Sequence, residues 1–168
     1  MNTAQQNNIN YNLLSQTYET NAIVSRCINL ITKSLSAIDL LIYDGKNKEI
    51  NESKMKTIIR KPNNHMSQED FIERIASYYL ISGNVYIYID KDHKMHLLRP
   101  DRVRIQQNKY GNIIHYIYTI NTVTYKYQTH EILHIKTFNP KCDLYGLSPI
   151  LSSMNAIEQY HSSIHLIL

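Results

Sequence analysis

Eight histidines and two cysteines are the side chains in this sequence best equipped for chemistry, and their spacing decides how much of it they can perform. His161 and His165 stand four apart, so on a helix both imidazoles project from one face, as the paired ligands of a zinc site do. No Glu lies between them to serve as a general base. His130 and His134 are also four apart, but in a segment that reads as extended, where sharing a face does not bring them close. No metal site is expected. Cys27 falls inside an apolar stripe at helical spacing, the usual place of a small buried hydrophobe rather than a nucleophile. Cys142 lies far from it in sequence, and both read as free thiols.

Other reaction chemistries lack their local geometry as well. The sequence contains no G-x-x-x-x-G-K-[ST], no G-x-G-x-x-G and no G-x-S-x-G, and four glycines in the whole chain leave no glycine-rich loop to cradle a phosphate. The paired acids Glu69 and Asp70 open a helix, where the macrodipole accounts for them without catalysis. The expectation is therefore a protein that is not an enzyme, with no catalytic residue, no cofactor, no metal and no small-molecule substrate. One surface invites a different activity. Arg99, Arg102, Arg104 and Lys109, with Tyr110, Tyr116 and Tyr118 nearby, could combine phosphate contact with base stacking. Asp90, Asp92 and Asp101 interrupt that cluster, and the same charges serve equally well to keep a strand edge from pairing.

The elements that must carry these residues are legible from the hydrophobic pattern. A chain of 168 residues suffices for one ordinary domain, and its net charge of +4 permits weak contact with polyanions without amounting to a basic groove. No apolar run is long enough to cross a membrane, and the first 18 residues carry no basic n-region of a secretory signal, which makes the cytoplasm the default address. Fourteen tyrosines against two phenylalanines suit strands with one wet face.

Residues 1–19 form a charge-poor polar stretch without sustained periodicity, read as a disordered or polar arm. From Asn21, the helical spacing of Ile23, Cys27, Ile31, Leu35 and Ile38, widened by Val24 and Ile28, predicts a buried helix over 21–37. A short strand over 39–43 follows, then a turn at Asp44-Gly45 and a short helix over 53–60 that Pro62 stops. Ser67 with Asp70 resembles a capping box for a second long helix over 68–82, closed by Gly83-Asn84.

The period then drops to two at Val85, Ile87 and Ile89, and short strands continue to residue 136, including a hairpin across Asn121-Thr122. Ser148-Pro149 starts a final helix over 148–168 whose apolar stripe runs to Leu168, so the helix is expected to be cut short. Helices followed by a run of strands predict an α+β fold with a mostly antiparallel sheet. The domain organisation is thus an arm over 1–19, a body over 20–147 and the beginning of a long helix over 148–168.

Four blocks in this order resemble one family, the portal proteins of tailed bacteriophages, of the lambdoid siphophage type. They are the helix from Asn21 with the segment to Tyr43; the Pro62-Asn63 loop with Phe71 and Gly83-Asn84-Val85-Tyr86; Leu98-Arg99-Pro100-Asp101-Arg102-Val103; and Glu131 to Ile135, including His134, with Gly146-Leu147-Ser148-Pro149. The resemblance covers about residues 20–168 and implies the wing-like N-terminal part of a head–tail connector, without the stem, clip and channel helix of longer members. It implies a ring at the capsid vertex through which DNA is packaged and ejected. Its expected partners are other portal subunits, a terminase, capsid and tail-completion proteins and genome DNA, and no membrane. The expected place is the portal vertex of a virion, or the cytoplasm of a bacterial host if the chain is a prophage remnant or a partial piece. No DNA-contact residue follows from the resemblance. The alternative reading is a small basic nucleic-acid-binding module built on the Arg99 to Tyr118 surface.

Overall fold

The computed structural model describes residues 3–50 and 53–153. Four helices lead the chain: α1 (Thr3–Thr20), α2 (Ala22–Ser36), α3 (Lys54–Arg60) and α4 (Gln68–Ser82). Six strands follow: β1 (Asn84–Ile89), β2 (Met95–Leu98), β3 (Val103–Gln107), β4 (Ile113–Ile120), β5 (Val123–Gln128) and β6 (Ile132–Lys136). They form two antiparallel three-stranded sheets, ordered β2-β1-β6 and β3-β4-β5. The α+β class expected from the sequence is the class observed.

Local chemistry sets the helix boundaries. The side chain of Asn21 accepts hydrogen bonds from the Ile23 and Val24 amides and starts α2, and Ser53 does the same for α3 through Lys56. Ser67 and Asp70 complete a reciprocal capping box on α4, which ends at Gly83 with φ +71° in the left-handed region. In the other hairpin, Asn121 takes φ +53° to turn β4 into β5.

Three apolar clusters hold the layers together. Phe71 of α4 packs on Val85 and Ile87, which lie on one face of the first sheet. Tyr86 and Leu98 on its other face meet Val103, Ile105, Tyr116 and Tyr118 of the second sheet. The third cluster is helical and joins Tyr11, Leu14, Val24, Ile28 and Ile81.

The structure departs from the sequence reading in the first forty residues. The stretch read as a disordered arm is helix α1, because Tyr11, Leu14 and Tyr18 recur at three- and four-residue steps and find tertiary partners. Tyr18 also donates its hydroxyl proton to Asn29 Oδ1 of α2 at 2.7 Å. On α2 the buried face is Val24, Ile28 and Thr32, whereas Ile23, Ile31, Leu35 and Ile38 are exposed and Cys27 is an exposed thiol. The apolar residues of α2 span more of its circumference than α1 and α4 cover, so periodicity alone selected the wrong half of the stripe. Residues 39–43, read as a strand, enter no sheet among the described residues; Tyr43 forms an isolated bridge to Glu49, and the Ile42 carbonyl accepts the Ile50 amide proton. The final helix lies outside the described residues beyond Ser153; its described start is a turn and the 3-10 segment Leu151–Ser153.

Burial ranks the substitutions. Phe71→Ala should cost about 3–5 kcal/mol and Ile28→Ala about 2–4 kcal/mol through the cavities they leave. Ile31→Ala, on the exposed side of the same helix, should cost less than about 1 kcal/mol. Urea unfolding of the three variants checks that order.

Candidate functional site

Among the described residues, a dense node of hydrogen bonds lies where β1, β6 and the segment after β6 converge. Asn84, the first residue of β1, is fully buried, and each capacity of its side-chain amide is used. Its Nδ2 donates to the carbonyls of Ser82 at 2.9 Å and Gly146 at 3.2 Å. Its Oδ1 accepts the Gly146 amide proton at 2.7 Å and lies 3.2 Å from His134 Nε2. Because that oxygen can only accept, the imidazole carries its proton on Nε2.

The antiparallel register places His134 opposite Tyr86, and the two rings stack with centroids 4.3 Å apart. Tyr116 from the second sheet meets both rings edge-on. Burial, with Lys136 adding a smaller repulsion, pushes the His134 pKa down to about 4, so the ring is neutral at physiological pH. Burial likewise raises the Tyr86 phenol well above its ordinary value, with Tyr145 and Tyr116 adding to it.

Two glycines let the backbones meet here. A Cβ on Gly83 would come within 2.5 Å of the Leu147 carbonyl group and 2.7 Å of Thr137 Oγ1. A Cβ on Gly146 would overlap the Gly83 carbonyl oxygen outright. Thr137 closes the gap: its amide donates to the Gly83 carbonyl at 2.9 Å, and its hydroxyl donates to the Leu147 carbonyl at 2.5 Å. Beyond this node, Ser148 Oγ donates to the Leu80 carbonyl of α4 at 3.0 Å. Tyr145 reaches the second sheet, its hydroxyl accepting the Ile105 amide proton of edge strand β3 at 2.9 Å.

The residues singled out in the sequence for family resemblance therefore fall into two groups. Gly83, Asn84, Tyr86, His134, Gly146 and Ser148, scattered over 66 positions of sequence, meet in this node. Pro149 follows at its exposed end. Pro62, Asn63 and Phe71 lie at the other side of the first sheet. There Asn63 Nδ2 donates to the Met95 carbonyl at 2.8 Å, and Pro62 is fully buried. Pro100 and Val103 are buried at the turn that carries the chain from one sheet to the other. Thr137 and Tyr145, which complete the node, were missed: neither belongs to a periodic pattern, and only proximity to Gly146 could have pointed to Tyr145.

The basic cluster is less coherent. Arg99 is held by Asp101 through two hydrogen bonds, at 3.1 and 3.0 Å. Arg104 is exposed, and Lys109 lies over the exposed ring of Tyr110 at 4.9 Å. Tyr116 and Tyr118, expected as stacking platforms, are instead buried between the sheets, because the alternation of β4 turns them inward. His130 lies in the 3-10 turn Thr129–Glu131 and His134 in the middle of β6, and no metal-binding group of His, Cys, Asp or Glu occurs among the described residues. His161 and His165 lie outside them. The described site is a structural joint.

The comparison that decides the relationship is a family model described as phage portal protein, which matches residues 22–165. The chain belongs to the phage portal protein family. Curated relatives include uncharacterised proteins of Rickettsia felis, 26% identical over 159 residues, and Rickettsia bellii, 27% identical over 161 residues. These alignments cover 89% and 87% of this chain but only 41% and 40% of the relatives, so the chain spans about two fifths of their length. Among solved structures, the neck of an empty gene transfer agent (GTA) particle computed with C6 symmetry superposes with TM-score 0.84, at 24% identity, over 92% of this chain and 44% of that one. The neck of the native particle, computed with C12 symmetry, gives 0.77 at 24% identity over 94% and 44%. This portal-family fold accounts for the α+β layers and the two sheets.

The node generates two expectations. Asn84→Leu strands the Gly146 amide and carbonyl and the Ser82 carbonyl, and should cost about 2–5 kcal/mol. Thermal or urea unfolding measures it. For His134 the folded pKa lies below the unfolded value, so the unfolded chain binds the extra proton first as pH falls. The stability associated with the neutral ring is fully present above about pH 6.5 and is lost as pH drops towards about 4. His134→Gln should flatten that part of the stability-versus-pH curve; an unchanged slope would show that other groups set it.

Proposed function

We propose that this chain serves as part of a portal subunit, within a ring at one vertex of a phage-like particle through which DNA enters and leaves. The observation that supports the reading most is the match to the portal family across residues 22–165, joined to the likeness to necks of gene transfer agent particles. On this reading the wing-like α+β body is a rigid block set against neighbouring subunits. The partners are other portal subunits, capsid and tail-completion proteins, a terminase and the genome itself. The molecule works at the portal vertex of the virion and is made in the cytoplasm of the host.

The chemistry of the described side chains suits a part that must be stiff rather than reactive. The tightly coordinated side chains at Asn84 and Thr137 bind the protein's own backbone and one imidazole. Gold-labelled antibody against the chain, applied to particles purified from the source cells, tests the assignment. Label is expected at a single vertex, where head and tail join, and particles free of the chain would defeat it.

A ring subunit needs only passing contact with DNA, and the described surface fits that role. Arg102, Arg104 and Lys109 are the cations offered for phosphate contact, with Arg99 tied to Asp101 and Tyr116 and Tyr118 buried. Anisotropy with duplex and single-stranded DNA at near-physiological salt should therefore show binding weaker than about micromolar, falling steeply with salt. Tighter binding, lost in Arg102→Ala/Arg104→Ala, would favour a nucleic-acid-binding module instead.

A further inference from the structure

Helix α2 carries more apolar surface than its own fold covers. Alongside the buried Val24, Ile28 and Thr32 runs a second arc, formed by Ile23, Cys27, Leu30 and Ile31, that stays in solvent, with Leu30 69% exposed. No charged residue interrupts this arc. The chain leaving the helix extends it with the exposed side chains of Ile38, Leu40 and Leu41. Among the described residues, the backbone of residues 39–41 makes no hydrogen bond. Together these exposed side chains present a patch on the order of several hundred Å², comparable with the largest apolar patch of an ordinary monomer, which is often functional.

A contact repeated around a closed ring is head to tail, so each subunit must carry two unlike surfaces that fit one another. The described chain offers a second one at the free edge of β6. The register sets Leu133 and Ile135 opposite Ile87 and Val85, on the face that α4 covers over β1, yet Leu133 is 51% exposed. Phe138, just beyond the strand, is 86% exposed. Among the described residues, the outer side of β6 has no strand partner.

We propose that the exposed arc of α2 seats against the β6 edge of a neighbouring copy of this chain. The proposal rests on the portal-subunit reading and assigns the surface through which adjacent subunits meet. The arc supplies aliphatic side chains; the edge supplies Leu133, Ile135 and Phe138.

Cys27 lies in the arc as a native reporter, and a Cys142→Ser background leaves it the sole thiol. Sedimentation velocity of the full chain over a wide concentration range, with alkylation of Cys27 followed in parallel, tests the assignment. Association is expected to rise with concentration and to slow alkylation of Cys27 about fivefold or more. Leu30→Asp and Leu133→Asp should each weaken association about tenfold or more, as loss of a central apolar anchor does. Both residues are exposed, so circular dichroism and the melting temperature should barely change; Ile31→Ser replaces Leu30→Asp if that variant does not fold.

The decisive sample is an equimolar mixture of the two Asp variants. One holds an intact edge and the other an intact arc, so the mixture should form a dimer and nothing larger. A chain that stays monomeric at hundreds of micromolar overturns the proposal, whether Cys27 is reactive or shielded by the chain's own residues. So does association that ignores Leu30→Asp, or a Cys27–Cys27 disulfide formed while Leu133→Asp still associates normally, which would mean that two arcs meet face to face. Failure of the portal reading would appear separately, in the particle labelling, and leaves these measurements unaffected.

Discussion

A buried side-chain amide with no access to water must find its hydrogen-bond partners within the protein, and Asn84 finds all of them in backbone and in one imidazole. That requirement organises the rest of the architecture. To reach Asn84, the Gly146 peptide must pass close to the end of α4, which only a residue without Cβ permits. To supply the fourth bond, His134 must present its Nε2 proton to Asn84, and burial keeps the ring neutral. Thr137 and Ser148 then tie the same segment to the end of α4, and Tyr145 ties it to the second sheet. The end of a helix, a sheet and a facing sheet are fastened at one point.

Most of this fold could be read in the sequence because each element announces itself locally. The capping box at Ser67 and Asp70, the glycine after Ser82, the alternation from Val85 to Ile89 and the turn at Asn121 are short-range signals that tertiary context had no reason to overrule. The node was legible only as resemblance. Gly83-Asn84, His134 and Gly146-Leu147-Ser148-Pro149 stood out as blocks, but nothing in a one-dimensional pattern says that residues 62 positions apart exchange hydrogen bonds.

The failures lie where burial depends on a distant partner. Helix α1 is polar and weakly patterned, and it forms because Tyr11 and Leu14 dock on α2 and α4. Periodicity on α2 could show that one side is apolar, but not which part of a wide stripe its neighbours would cover. Tyr116 and Tyr118 illustrate the same limit on a strand. Alternation assigns them a common face, and only the packing of the second sheet on the first reveals that this face is dry.

The distance in sequence across the node also constrains how the chain comes together. Asn84 and Ser82 leave the ribosome more than sixty residues before Gly146, and Ser148 is 68 residues from the Leu80 carbonyl it contacts. Strands β2 to β6 occupy the interval, so the β1–β2 and β3–β4–β5 hairpins can form from local contacts while the amide at the end of α4 still waits for its partners. Closing so long a loop is entropically expensive until those strands have shortened it. The joint that fixes the finished body is thus the last part of it able to form, and the newly made helices must keep their apolar faces from wrong partners until it closes.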